Sequence, residues 1–222
     1  MSSALIADFV ATFVTFFVLI DAVGVAPVFA SLTASGPPAY RRRMAIRSTV
    51  VAAIIIFFFA FAGAWLLSAM HISIAAFKAA GGALLFLIAL DMVFEKRTER
   101  RESRAEDYMS AHQGDPAPED VSVFPIAIPM IAGPGTIASA MFYMADAGGT
   151  LDQAVILGAL GANLVLVLII FLAAGPIVRA MGPSVAGALT RILGVILAAL
   201  SVQLLIDGIS EAFGLQGAAG AL

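Results

Sequence analysis

The chain has 222 residues, 61% of them from the AVILMFWYC set and only 12% Asp, Glu, Lys or Arg, about half the charged share usual in a soluble domain. A water-soluble fold of this size could not hide that much apolar surface, and the mean hydropathy of +1.03 says the same. A formal net charge of −3 without a basic stripe, and no cysteine at all, exclude nucleic-acid binding, disulfides and thiol chemistry as themes.

A membrane-crossing helix needs ~20 apolar residues, and six stretches qualify: 5–32, 48–70, 74–94, 121–145, 151–178 and 184–213. None alternates with the period of two that marks an outer-membrane barrel. The fold expected is all-α: a polytopic membrane protein with six transmembrane helices in a single membrane domain, 1–222.

In chain order, the first stretch has Asp8 but no Lys or Arg ahead of its apolar run, so it reads as a first span and not as a secretory signal. It runs ~28 residues, ~42 Å as continuous helix, against a hydrocarbon core of ~30 Å. Inside it stands Asp21-Ala-Val-Gly24-Val-Ala-Pro27. The first connection carries Arg41, Arg42, Arg43 and Arg47. The third stretch holds Lys78, Gly81 and Asp91. The connection 95–120 concentrates eight acids and five bases. Its like charges repeat at i,i+4, as in Lys96, Arg100 and Arg104, which weakens an isolated helix. With Gly114, Asp115, Pro116 and Pro118 following, it reads as a fraying helix end and then a flexible, solvated linker. The fourth stretch contains Pro125, Pro129 and Gly133-Pro134-Gly135. The fifth carries Asn163 among small residues, and the sixth carries Arg191, Gln203 and Asp207.

Lys and Arg crowd the first, third and fifth connections, while the second and fourth have none. The excess of bases on cytoplasmic loops therefore places the linker inside and both termini outside. Three spans (5–94) precede the linker and three (121–213) follow. An odd number per half gives the halves opposite orientation, so a 3+3 inverted repeat is expected, with helices 1 and 4 interrupted. Faint internal likeness supports it: Lys78-x-x-Gly81-x-x-Leu84 matches Arg191-x-x-Gly194-x-x-Leu197.

Interrupted spans at matching positions of two halves point to a transporter's binding site, because irregular backbone at membrane depth survives only in protein or beside water. The candidate substrate-binding residues are Asp21, Gly24, Pro27, Pro129, Gly133, Pro134, Gly135, Thr136, Asn163 and Gln203. Asp21 counts first, since a carboxylate ~24 Å into the span must be paired, protonated or hydrated, or cap the helix that follows. Gly24–Pro27 and Gly133–Gly135 are expected to meet near the midplane, with Asn163, Thr136 or Gln203 beside them. Neither a catalytic set nor a metal site is expected, and no cofactor: the chain lacks His-Glu-x-x-His, Gly-x-Ser-x-Gly and a Walker motif.

These motifs resemble the MarC family of six-helix bacterial inner-membrane proteins. The matching pieces are Asp21-Ala-Val-Gly24-Val-Ala-Pro27, Ala80-Gly81-Gly82-Ala-Leu-Leu-Phe, Pro125-Ile-Ala-Ile-Pro129-Met-Ile-Ala-Gly133-Pro134-Gly135-Thr136 and Thr190-Arg191-Ile-Leu-Gly194, closing on Asp207-Gly208. The family usually has proline after the first aspartate; Ala22 stands there, which implies a softer break. The resemblance implies transport of a small neutral solute such as an amino acid, as in exporters of the LysE type, without ATP. Proton and sodium coupling are both open, as are a passive channel, export of another solute class and a non-transporting role. The expected partners are this solute and the lipid bilayer.

Overall fold

The computed structural model describes residues 2–111 and 120–215, which are helical with short connections and hold no strand. The first span is two helices, α1 (Ser2–Ile20) and α2 (Ala22–Leu32), joined at Asp21. Proline at the first position opens α3 (Pro38–Ala69), where a missing N–H costs nothing. Ser73 caps α4 (Ile74–Val93) by accepting from the Ala76 amide at 3.1 Å. α5 is Lys96–Ala111. A π-helical segment, Ser122–Ile131, then leads into α6 (Pro134–Asp146) with a bend of 58°. Within it Phe124 and Ile128 are extended, each preceding a proline, the conformation that proline imposes on its predecessor. α7 is Thr150–Leu172, and α8 is Ala174–Ala212, interrupted at Gly182 (φ 66°). Five stretches are long and apolar enough to cross a bilayer, and there are six where the bent pair counts as one span, in the order the hydropathy gives.

The core is apolar, as in a soluble protein, but large apolar side chains also face outward. Phe58, Phe61 and Trp65 stand outside, while Thr12, Thr15, Ser48, Ser139, Asn163 and Ser201 are buried. Lipid tails accept apolar side chains at no cost, whereas each polar group needs a partner within the protein. Thr15 and Thr49 find theirs on carbonyls one turn back.

α4 and α8 lie antiparallel. Gly82 faces the backbone of Ser201 and Leu205, Gly208 faces Ala75 and Ala79, and Gly194 faces Ala89 and Met92. A Cβ at Gly82 would stand 2.6 Å from the Leu205 amide, and one at Gly208 2.5 Å from that of Ala79. The two backbones approach as closely as small residues allow.

The two ends of the bundle differ in charge. At one, Arg47 pairs with Asp120, Arg191 with Glu95, and Arg41 shares a pocket with Arg179. At the other, Lys78 bridges Asp146 (3.3 Å) and Glu211 (3.4 Å), and Asp8 and Asp152 line a pocket with Asp146.

The linker departs from expectation. Residues 96–111 form a helix docked beside α2, with Arg101 and Ala105 buried. Its like-charge rows are offset by opposite charges from elsewhere, as where Arg100 pairs with Asp91. The expected flexible stretch around Gly114–Pro118 lies outside the described residues.

Candidate functional site

The first break is made by one residue. Asp21 adopts φ 52°, ψ 53°, the left-handed conformation that Asp tolerates better than most side chains. Its amide still reaches the Phe17 carbonyl at 3.0 Å, and its carbonyl receives the Val25 amide at 3.0 Å. The break is therefore soft, with few backbone groups released. As N-cap of α2, Asp21 accepts the Gly24 amide on Oδ1 at 3.2 Å. Gly24 is required there, because a Cβ would overlap the Asp21 carboxylate and the Thr190 hydroxyl. Asp21 is 1% exposed. Its Oδ2 accepts from Arg101 Nη1 at 2.8 Å, so the cap and the ion pair coexist on one carboxylate.

Arg97, one turn before Arg101, donates from Nη2 to the Leu19 carbonyl at 2.7 Å. Burial, and after it the Arg101 charge, push this guanidinium down to about 9, with Asp21 and Asp91 pulling the other way.

The second break opens α6. Gly133 occupies the cap position and has no side chain to receive the first amides; Pro134 follows at the first turn. Pro129, Gly133, Pro134, Gly135 and Thr136 form one wall of a pocket of about 300 Å³. Arg97, Arg100, Arg101, Arg104 and Asp91 line the same pocket, with Leu19 and Ile88.

The two interrupted spans thus meet, though not where expected. Leu19, at the end of α1, lies against Gly135. Gly24 instead faces Thr190 of α8, and Pro27 lines a shallow groove with Glu102 and Glu106 of α5. Thr136 is in the pocket. Asn163 is not: its amide nitrogen donates to the carbonyls of Phe13 and Ala159, both at 3.0 Å, tying α7 to α1. Gln203 is exposed and bonds Asp207 one turn on, at 2.8 Å. An amide with good local partners has no need of a cavity. One side of the pocket belongs to α5. α5 carries Lys96, Glu99, Arg100, Glu102 and Arg104 on its exposed side, and such a surface belongs in water or among headgroups.

Arg97 and Arg101 escaped the sequence reading because they lie in a charged connection. A signal was present: Arg97, Arg101, Ala105 and Tyr108 follow i, i+4, i+8, i+11, one helical stripe, and this stripe is the docked face.

A model described as "MarC family integral membrane protein" matches residues 6–213. The chain belongs to the MarC family. Its relatives include a UPF0056 membrane protein of Methanocaldococcus jannaschii, 35% identical over 207 residues (92% of this chain, 97% of the relative). YhcE of Escherichia coli is 31% identical over 206 residues (90% and 91%). YhgN of the same organism, named a UPF0056 inner membrane protein, is 28% identical over 204 residues (91% and 96%). No solved structure matches the chain. For this MarC-family chain, integral membrane character is thus secured by composition, helices and kinship together.

Proposed function

We propose that the chain is a secondary transporter of small neutral amino acids or similar solutes, working without ATP by alternating access between two inverted three-helix halves. One observation carries this reading: two interrupted spans bring Leu19 and the Pro129–Thr136 stretch to a single polar pocket. Soluble cores have no reason to converge such breaks, whereas transporters place their sites there. The pocket volume of about 300 Å³ is at the small end of ligand sites, in keeping with a small solute.

The antiparallel fit of α4 against α8, glycine to backbone in both directions, is what a pseudo-two-fold axis in the membrane plane would require of the third and sixth spans. The crowding of arginines at one end supports a cytoplasmic position for that end and external termini. A bacterial inner membrane is the location this reading implies, in line with the name of YhgN.

The test is flux. Purified protein in liposomes is offered a labelled amino acid panel, with and without an imposed proton or sodium gradient. Accumulation against a concentration gradient, driven by one of the ions, is the expected result. Flux that only runs downhill and ignores both gradients would make the protein a channel, and silence across the panel would end the transport reading.

A further inference from the structure

We infer that the pocket between α5 and α6 contains an oxyanion subsite whose central ligand is the Arg101 guanidinium. This deepens the transport reading, on which its physiological sense rests, by naming the end of the solute that is recognised. Among the described residues, Arg101 Nη2 is the one buried side-chain nitrogen or oxygen without a hydrogen-bond partner. The residue is 4% exposed, lines the pocket, and has Nη1 already committed to Asp21. A buried charged donor left empty is costly, and an arriving acceptor removes that cost.

Charge points the same way. Arg97, Arg100, Arg101 and Arg104 face the pocket against Asp91 alone, and Asp91 is paired with Arg100. Asp21 stands behind Arg101 and neutralises one more charge, so positive charge remains in surplus. A cation would be repelled here and an anion drawn in.

The start of α6 adds donors. α6 has 13 residues, and the amides at its start have no intrahelical partner by geometry. Gly133 offers no capping side chain, and Gly135 and Thr136 line the pocket. A helix start that lines the same pocket as a guanidinium whose second nitrogen is unpartnered is suited to a carboxylate or a phosphate. The oxyanion has two sources, the carboxylate of a transported solute and the phosphate of a lipid headgroup.

The experiment separates them. Delipidated protein in an uncharged detergent is titrated at constant ionic strength with glycine, glycinamide, acetate or inorganic phosphate, and in a separate arm with phosphatidylglycerol, following the thermal midpoint. Glycine and acetate should raise the midpoint, and glycinamide, which lacks a carboxylate, should not. A response to phosphatidylglycerol without one to the free oxyanions assigns the same subsite to a headgroup. The double variant Asp21→Asn/Arg101→Gln leaves no uncompensated ion and should bind roughly tenfold more weakly or worse, the scale of a lost charged hydrogen bond. Arg101→Lys, which keeps the charge beside Asp21 but loses the second donor of the fork, should also weaken binding, whereas Arg42→Gln in a separate pocket should not. The subsite is overturned if no oxyanion stabilises the protein, or if both Arg101 variants bind like the parent. Oxyanion binding without any gradient-driven flux would remove the transport reading and keep the subsite. Amino amides carried as fast as amino acids would do the reverse.

Discussion

Asp21 joins three elements through one carboxylate. It caps α2 through Gly24, holds α5 through Arg101, and accepts from the Thr190 hydroxyl of α8. Breaking a buried ion pair from one side leaves a naked charge and typically costs about 3–5 kcal/mol, while removing both partners costs far less. Asp21→Asn should therefore lower the thermal midpoint more than Asp21→Asn/Arg101→Gln does, as read by detergent-solubilised unfolding curves. If the double variant is as unstable as the single one, the pair is not what holds α5 in place. Gly24→Ala tests the same corner by volume. Its methyl group would press on the Asp21 carboxylate and the Thr190 hydroxyl, an overpacking worth about 1–3 kcal/mol. Thr190→Ala in the same chain should recover part of that loss.

Asp120 fastens the start of the π-helical segment to α3. It accepts from the amide and the hydroxyl of Ser122 and pairs with Arg47. Its modest burial works to raise the carboxyl, but the Ser122 bonds and the Arg47 charge outweigh this and hold it below the usual carboxylate range. A carboxyl depressed by folding stabilises the fold above its unfolded value and loses that contribution as pH falls through its folded value. The midpoint difference between the parent and Asp120→Asn should thus be constant near neutrality and close on acidification below about pH 4. A difference that does not shrink at all on acidification would show that Asn fails for a reason other than charge. The prolines of this segment announced a break, and Asp21 announced a cap or a buried charge. What no single stretch revealed was the company they keep. Arg97 and Arg101 sit 80 residues or so from their partners, and distance in sequence erases the local cues that make a helix legible. Asn163 and Gln203 misled for the opposite reason: as costly polar groups they suggested a cavity, but the carbonyls of Ala159 and Phe13 satisfy the one and Asp207 the other.

Across the whole molecule, the five or six candidate spans and their order are legible in hydropathy, since lipid demands long apolar helices whatever their packing. The meeting of the two breaks depends on tertiary contacts, and so the register was off: Leu19 meets Gly135 where Gly24 was expected. The arginine-rich and acid-rich ends give a further expectation. A reporter fused after Gly114 should be cytoplasmic and one at Leu222 external. A cytoplasmic signal from the second fusion would remove both the orientation and the inverted halves. The glycine contacts between α4 and α8 should be equally demanding, and Gly82→Leu or Gly208→Leu should separate these helices and cost well over the about 3 kcal/mol of ordinary overpacking. Unfolding curves for these variants, set beside an exposed Leu87→Ala, would show whether that seam is as rigid as its backbone spacing implies.

The ion pair between residues 21 and 101 also sets a timetable for birth. Its members are 80 residues apart, and at about 5–20 residues per second a ribosome takes roughly 4–16 seconds to cover that gap. Throughout that interval the first span must enter the membrane carrying an acid whose counter-ion has not yet been synthesised. Insertion must therefore proceed with Asp21 kept beside water or headgroups, and the span settles only when α5 arrives to lock it. Nascent chains cut between residues 33 and 96 should be held loosely and cleared quickly by quality control, whereas chains reaching past residue 111 should persist.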